Sequence, residues 1–330
     1  MTAFSSAAHA DAQLLDWADL NGWSKDDHAE ALEVFQETCR DLKDGDWPTI
    51  CKLSESATDA RSFFEAMFRP VLMTDDEDPL FTGYYEPELP GSRTRSETYN
   101  VPLYRLPEDI PDDGPWLSRE QLLTSGILED RGLELVWLKN EVDKFFLQIQ
   151  GSGRIRLAEG GLMRVGYGGK NGHPYRSIGR ELVRRGEFEE HQVSAQVIRN
   201  WVANNPDRGP DLLNHNPSYV FFREVSQVDP AKGPLGAMNR SITEGRSIAV
   251  DPEFVPLGAP VWVEKAGRSP FRKLMIAQDT GAAIKGAQRA DIFYGSGSEA
   301  GEKAGRIRDG GRMITLLPIA QAMDLVETGL

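Results

Sequence analysis

Three aspartates stand at the ends of short apolar segments in the last third of the chain. Asp251 follows the segment 247–250, Asp279 ends the segment 273–279, and Asp291 begins a further segment twelve residues later. A strand–loop–strand unit brings Asp279 and Asp291 to the same end of a barrel, where a carboxyl group can act as a general acid and base. Aspartates at strand ends also cap turns, so the spacing leaves a structural role open. It places the candidate chemistry between residues 278 and 301.

Other common chemistries lack their motifs in this sequence. It has no G-x-S-x-G elbow, no phosphate-binding G-x-x-x-x-G-K-[ST] loop and no H-E-x-x-H pair. The five histidines are scattered without partners at ligand spacing, so we expect no metal and no cofactor. A net charge of −14 argues against nucleic acid as a partner, because phosphate binding needs a positive face.

The elements that must position these acids are mostly strands. The 32 Gly and 20 Pro residues favour many turns, and helical spacing of apolar residues is confined largely to the first third of the chain. Helices are predicted after Ser24, from Pro48, and over 59–68, 118–123, 177–185 and 190–204. Strands are predicted over 81–87, 133–138, 143–150, 155–157, 247–250, 260–264, 273–279, 291–294 and 312–317. In the segment 143–150, apolar residues alternate with Gln148 and Gln150, which predicts an amide-bearing strand face.

The only cysteines are Cys39 and Cys51. Two buried thiols and a disulfide between N-terminal helices are both consistent with their spacing, and we predict the disulfide, which an oxidising periplasm permits. The triplet Ala8-His9-Ala10 resembles a signal-peptidase site without the charged and apolar regions that precede one, so we expect that an export signal has been removed. No apolar run approaches the roughly 18 residues that span a bilayer.

Six motifs make the sequence specific, and together they resemble the membrane-bound lytic murein transglycosylase A family over residues 81–317. Its C-terminal part resembles the three-aspartate domain, with Asp251, Asp279 and Asp291 at the matching positions. The motifs are, in order, Phe81-Thr82-Gly83-Tyr84-Tyr85, Gln150-Gly151-Ser152-Gly153, Gly168-Gly169-Lys170-Asn171-Gly172-His173, Tyr175-Arg176-Ser177-Ile178-Gly179, Asn216-Pro217-Ser218-Tyr219-Val220-Phe221-Phe222 and Asp279-Thr280-Gly281-Ala282-Ala283-Ile284-Lys285-Gly286.

The resemblance implies a mainly β protein with peripheral helices. A double-psi β-barrel, expected from residues 1–87 and 222–330, is interrupted by a smaller β-domain over 88–221, with a glycan-binding groove between them. It implies cleavage of the MurNAc–GlcNAc β-1,4 bond of peptidoglycan with formation of 1,6-anhydro-MurNAc. We therefore expect a periplasmic monomer that acts on glycan strands, with association with the outer membrane or the cell-wall synthesis machinery.

The resemblance also assigns roles to residues. Asp291 matches the family's catalytic acid and base, and Asp279 is expected to support it electrostatically. The expected substrate-binding residues are Thr82, Tyr84, Gln148, Gln150, Gly151, Ser152, Gly153, Lys170, Asn171, Arg176, Ser177, Asp251, Lys285 and Gly286. Thr82 and Tyr84 share a strand face, and Lys285 is expected to point toward a substrate carboxylate or a backbone carbonyl. Where the family has a Gly-Gly pair, this chain has Gly281-Ala282.

Two other functions stay open at this point. One is an inverting hydrolase in which Asp279 or Asp251 activates a water molecule. The other is a glycan-binding module without catalysis, since barrel folds host many functions.

Overall fold

A computed structural model describes residues 11–111, 114–226, 228–229 and 232–328. The Ala8-His9-Ala10 triplet lies outside these residues. Over this part the chain is mainly β with packed helices, as predicted. The strands are β1 (Asp11–Leu14), β2 (Phe68–Thr74), β3 (Leu80–Glu86), β4 (Glu88–Ser92), β5 (Val101–Tyr104), β6 (Glu134–Leu138), β7 (Ser152–Leu157), β8 (Leu162–Lys170), β9 (Val220–Glu224), β10 (Ser247–Val250), β11 (Pro260–Lys265), β12 (Phe271–Thr280), β13 (Arg289–Ser296), β14 (Arg308–Asp309) and β15 (Gly311–Pro318).

Helices surround these strands. They are α1 (His28–Thr38), α2 (Trp47–Ser54), α3 (Ala60–Met67), α4 (Arg119–Thr124), α5 (Glu141–Gln150), α6 (Ile178–Arg184), α7 (Ala195–Asn204), α8 (Gly209–Asn214), α9 (Gly297–Ala304) and α10 (Ile319–Thr328). Among the described residues, no helix has the length and apolar character needed to cross a membrane.

The chain forms two compact units. The first consists of the described residues of Met1–Tyr84, Leu235–Gly295 and Arg306–Leu330, and the second of those of Tyr85–Pro234 and Ser296–Gly305. The boundaries between the two units thus lie after Tyr84 and after Pro234, and helix α9 belongs to the second unit.

The first unit is built on a sheet with the strand order β1-β2-β15-β11-β12-β10-β13-β3-β14. β10 is central for the site, since it pairs in parallel with β12 on one side and antiparallel with β13 on the other. In the described residues this order runs between two end strands and closes no barrel, so the double-psi arrangement stays a prediction.

The N-terminal helices pack on this sheet through an aromatic cluster. Phe35 of α1 lies against Trp47 of α2, Phe63 and Phe64 of α3, and Phe68 of β2, with ring centroids 5.8–6.3 Å apart. Apolar burial of this kind is the main stabilising contribution to such an interface.

The predicted disulfide is confirmed. Cys39, the C-cap of α1, is bonded to Cys51 in α2, with their Cα atoms 5.5 Å apart. The first helix begins later than predicted, because Asp27 caps it by accepting hydrogen bonds from the backbone N–H groups of Ala29 and Glu30.

The second unit contains a six-stranded sheet of order β5-β6-β4-β7-β8-β9, with helices packed around it. The prediction of a strand over 143–150 is wrong, because these residues form α5. Asn140 caps its N-terminus by accepting a hydrogen bond from Asp143 N–H, and Gly151 ends it in the left-handed conformation at φ +74°. These two caps outweigh the period-two alternation of apolar residues.

The segment 190–204 is also not one helix. A 3-10 turn, Glu190–Gln192, precedes α7, whose N-terminus is capped by Ser194. The hydroxyl of Ser194 accepts a hydrogen bond from Val197 N–H, which begins the helix at Ala195.

Candidate active site

The two candidate acids are brought together by a single residue of the central strand. Ala249 of β10 is directly opposite Asp279 of β12 on one side and Asp291 of β13 on the other. Partners directly opposite in a sheet present their side chains on the same face. Two strand spacings place the Cα atoms of the acids roughly 10 Å apart, with only a methyl group between them.

A β-bulge puts Asp279 on that face. Between Ile248 and Ala249 the register with β12 shifts by one residue, leaving Gln278 as the extra residue. In an unbroken ladder Gln278 would stand opposite Ala249, and Asp279 would point to the other side of the sheet. The fully buried Gln278 side chain instead donates to Thr38 Oγ1 at 2.8 Å and accepts from the hydroxyl of Ser247. The bulge therefore directs the Asp279 carboxyl to the same face of the sheet as Asp291.

Asp291 is held by one side chain. Its Oδ1 accepts a hydrogen bond from Thr82 Oγ1 at 2.7 Å, and Arg289 Nη2 donates to the same hydroxyl oxygen at 2.9 Å. Burial raises the pKa of Asp291 to about 6, and the Asp279 carboxylate acts in the same direction. The Thr82 hydrogen bond and the charge of Arg289 act against the rise. The side chain is only partly buried, so this weakened acid can still be reached from outside.

Asp279 is held by more donors. Its Oδ1 accepts from the backbone N–H groups of Ala237 and Thr280 at 3.0 and 2.9 Å, and its Oδ2 accepts from Tyr84 OH at 2.9 Å. Burial nevertheless raises its pKa to about 6, because these three hydrogen bonds only partly offset the loss of water.

A small apolar cluster explains the loss of water around both acids. It consists of Tyr84, Ile242, Ala249, Ile284 and Phe293, and the rings of Tyr84 and Phe293 lie 5.3 Å apart. A carboxylate beside such a surface is poorly solvated, which disfavours its charged form. Burial and the neighbouring Asp279 also raise the pKa of the Tyr84 hydroxyl, which keeps it a hydrogen-bond donor.

Asp251 has a different environment. It is buried, its Oδ1 accepts from Lys285 Nζ at 2.9 Å, and its Oδ2 accepts from Gly286 N–H at 3.1 Å. The ammonium group of Lys285 pairs with Asp251 and not with a backbone carbonyl, while its expected contact with a substrate carboxylate stays a prediction. Gly286 adopts φ +115°, a conformation that favours glycine. These contacts anchor the loop between β12 and β13.

The remaining predicted binding residues belong to the second unit and have different environments. Gln148 is buried and donates to Val220 O, and Asn171 is buried and binds the backbone of residues 117, 217 and 219. Both amides thus serve the protein's own backbone. Ser177 caps α6 by accepting from Arg180 N–H.

The other predicted substrate-binding residues of the second unit lie at the end of α5, at the start of β7 or at the surface. Gln150 Oε1 accepts from Tyr85 N–H, while Lys170 and Arg176 are exposed. Gly151 ends α5, and Ser152 and Gly153 begin β7 as buried residues.

Two contributors escaped the sequence reasoning. Arg289 lies two residues before Asp291 on β13, so strand alternation places both side chains on one face. This spacing was the sequence signal that could have identified Arg289 as a neighbour of the acid. The backbone N–H of Ala237 comes from an irregular segment and carries no sequence signal. Among the described residues, no group of His, Cys, Asp and Glu side chains is arranged to hold a metal ion. The arrangement is that of a weak, reachable carboxylic acid beside a second carboxyl.

Comparisons with known proteins agree on one family. The model of the MltA specific insert domain matches residues 80–223, and that of the 3D domain matches residues 246–317. Membrane-bound lytic murein transglycosylase A of Escherichia coli strain K12 is 37% identical over 246 residues, which are 72% of this chain and 65% of that protein. The Vibrio cholerae protein of the same name is 33% identical over 245 residues, covering 71% and 64%. The chain thus spans 65% or less of the length of these two curated relatives.

Solved structures cover almost the whole chain. A membrane-bound lytic murein transglycosylase from Agrobacterium tumefaciens superposes with a TM-score of 0.85 at 32% identity, over 95% of this chain and 99% of that one. MltA from Neisseria gonorrhoeae gives 0.80 at 32% identity, over 94% and 93%. E. coli MltA with bound chitohexaose gives 0.74 at 28% identity, over 96% and 97%.

Proposed function

Since this chain belongs to the membrane-bound lytic murein transglycosylase A family, we propose that it cleaves the MurNAc–GlcNAc β-1,4 bond of peptidoglycan. The product is a 1,6-anhydro-MurNAc end, and Asp291 serves as the single acid and base. The observation that carries this proposal is the environment of Asp291: a reachable carboxyl whose pKa is raised to about 6 by burial.

The first step requires the neutral acid. With a pKa near 6, about one carboxyl in ten carries its proton at pH 7, whereas fewer than about one in a thousand would at the ordinary pKa of 3.8. Asp291 donates this proton to the glycosidic oxygen, which leaves as the 4-hydroxyl of GlcNAc as its bond to C1 of MurNAc breaks. Burial thus supplies the acid form at a pH where aspartate is normally ionised.

The second step returns the proton. The C6 hydroxyl oxygen of the same MurNAc bonds to C1, and its proton passes to the Asp291 carboxylate. One bond to C1 is exchanged for another, no water enters, and Asp291 ends in the form in which it began. A single carboxyl therefore suffices, unlike in an ordinary glycosidase, which uses two.

Asp279 has a supporting role in this proposal. An ionised Asp279 raises the pKa of Asp291 and stabilises positive charge developing at C1. Its three hydrogen bonds fix the carboxyl in place for such an electrostatic role. Asp251, which the hydrolase alternative would use as a base, is already paired with Lys285.

Glycan binding is the second part of the proposal. The E. coli relative has been crystallised with chitohexaose, a β-1,4 glycan, and we extend that class of ligand to this chain. The exposed cations Lys170 and Arg176 are our candidates for the carboxylates of murein. We place the protein in the periplasm as a monomer, in line with the membrane-bound naming of its relatives. Parallel pairing of β10 with β12, beside the antiparallel pairing of β10 with β13 and of β12 with β11, supports the double-psi barrel.

The experiment that tests the proposal compares two isosteric variants on purified murein sacculi. Asp291→Asn should release less than about one hundredth of the wild-type muropeptides, because the amide has no acidic proton to transfer to the glycosidic oxygen, yet should still bind sacculi in a pull-down. Asp76→Asn, at an exposed carboxyl in the turn before β3, is the matched control and should retain full activity. Wild-type rates from Asp291→Asn would refute the assignment.

A further inference from the structure

Arg289 is a charged neighbour of the candidate acid that has no role in the scheme above. It leaves β13 on the same face as Asp291 and reaches toward the neighbouring strand β3. Its Nη1 donates to Leu80 O at 3.2 Å and to Ala290 O at 2.6 Å, and its Nη2 donates to Thr82 Oγ1 at 2.9 Å. The guanidinium is thus fixed by three acceptors of the protein.

The Thr82 hydroxyl has one proton to give. Because its oxygen already accepts from Arg289, the proton points away from the guanidinium, toward Asp291 Oδ1 at 2.7 Å. A threonine without this cation can rotate its hydroxyl and accept from a protonated carboxyl instead. Arg289 disfavours that second arrangement by occupying one of the two lone pairs of the hydroxyl oxygen and directing the hydroxyl proton away from itself.

This orientation of the Thr82 hydroxyl determines which oxygen of the Asp291 carboxyl carries the proton. An oxygen that accepts the Thr82 proton is a poor place for a second proton, so the acid form carries its proton on Oδ2. Among the described residues, Thr82 is the one hydrogen-bond donor to Asp291, which leaves Oδ2 for the glycosidic oxygen.

We propose that Arg289 is a positioning residue, which acts through the Thr82 hydroxyl to place the transferable proton of Asp291 on Oδ2, the oxygen to which Thr82 does not donate. The inference rests on the proposed function of Asp291 and goes beyond it by assigning the side chains that orient the acid. It also gives Thr82 an orienting role in place of the substrate contact expected from the sequence.

A purely structural role is the competing explanation, since Arg289 also ties β13 to the start of β3. The two roles differ in how the pH profile responds. Burial is the main cause of the raised pKa of Asp291, and both the Thr82 hydrogen bond and the charge of Arg289 restrain it. Removing either partner should therefore raise that pKa further and move the alkaline limb of activity to higher pH, which a loss of packing alone does not do.

The test measures muropeptide release from sacculi between pH 4 and pH 8 for Thr82→Val, Arg289→Met and the double variant. Each single variant should lose about tenfold to hundredfold of the rate at pH 5, part of what a well-placed general acid contributes, with its alkaline limb shifted upward. If Arg289 acts through Thr82, the double variant should be no slower than the slower single one, within about threefold.

Two control variants accompany this test. Thr82→Ser retains the hydroxyl and should keep the alkaline limb of the wild-type pH profile. The Thr82→Val and Thr82→Ser pair therefore still tests the orienting hydrogen bond to Asp291 if Arg289→Met fails to fold. Arg272→Met removes an exposed arginine from the far end of β12 and should behave as wild type. Losses that multiply in the double variant, or an alkaline limb that stays in place, would overturn the positioning role.

The two proposals fail in different ways. An active Asp291→Asn variant would remove the proposed function and this inference with it. An inactive Asp291→Asn variant, together with unmoved limbs in Thr82→Val and Arg289→Met, would leave the proposed function standing and reject only the role of Arg289.

Discussion

Replacing Asp291, the proposed catalytic acid, should make the protein more stable at alkaline pH. Burial holds the pKa of Asp291 at about 6, against 3.8 for the ordinary group, so the folded state binds this proton more tightly than the unfolded chain does. A raised folded-state pKa means that stability falls as pH rises between these two values. Above pH 6 the ionised Asp291 therefore destabilises the fold.

The size of the effect follows from the two pKa values. Their difference corresponds to about 3 kcal/mol at pH 8, an upper bound because the side chain is partly exposed, and to less than about 0.5 kcal/mol below pH 4. The asparagine side chain of the Asp291→Asn variant never ionises, and its amide oxygen can still accept the Thr82 proton. The stability of Asp291→Asn relative to wild type should therefore increase from pH 4 to pH 8 by up to about 2.5 kcal/mol, or about 5–10 °C in Tm for a unit of this size.

The assay is thermal unfolding of both proteins from pH 3.5 to pH 8.5, analysed as the difference in Tm at each pH. Taking the difference cancels every group that the two proteins share. Asp59→Asn is the control with the opposite sign, because hydrogen bonds from Ser62 lower the pKa of Asp59 at the N-terminus of α3. A Tm difference for Asp291→Asn that is flat with pH, or that falls toward pH 8, would refute the raised pKa.

Further predictions concern the neighbours of the acid and the N-terminal helices. Tyr84→Phe keeps the ring against Phe293 but removes a donor to Asp279, so the pKa of Asp279 should rise further and murein cleavage at pH 5 should fall by about tenfold, as the pH–rate profile would measure. Replacing both cysteines of the disulfide with serine should lower the free energy of unfolding by about 3 kcal/mol, because the bond constrains the unfolded chain by closing a loop. Denaturant titration measures this change, and an unchanged unfolding midpoint would contradict it. Asp251→Asn should weaken the loop between β12 and β13, seen as faster amide exchange at Gly286, while the anhydro product stays the same.

The strands that carry the acids could be predicted from the sequence. The pairing that brings the two carboxyls together could not. Strands β10, β12 and β13 are short apolar segments between Gly and Pro residues, and such segments are recognised from local pattern alone. Placing Thr82 and Tyr84 on one strand face needed only the period of two, and both side chains do reach the acids. The pairing of Ala249 with two strands, and the bulge at Gln278, depend on contacts distant in sequence.

The departures from the sequence predictions have different causes. Residues 143–150 alternate like a strand, but the Asn140 cap and the left-handed Gly151 make them helix α5, which removes the amide-bearing strand face predicted for Gln148. The ion pair between Lys285 and Asp251 was not predicted, because the two residues lie 34 positions apart in sequence. Such an ion pair has no signal in a single sequence.

The central claim is that Asp291 closes the C6 hydroxyl onto C1 without water, and digestion of sacculi in H₂¹⁸O tests it most directly. Mass spectrometry of the released muropeptides should give 1,6-anhydro-MurNAc ends, lighter than reducing ends by one water and free of ¹⁸O. Reducing MurNAc ends that carry ¹⁸O would contradict the account and identify the enzyme as a hydrolase.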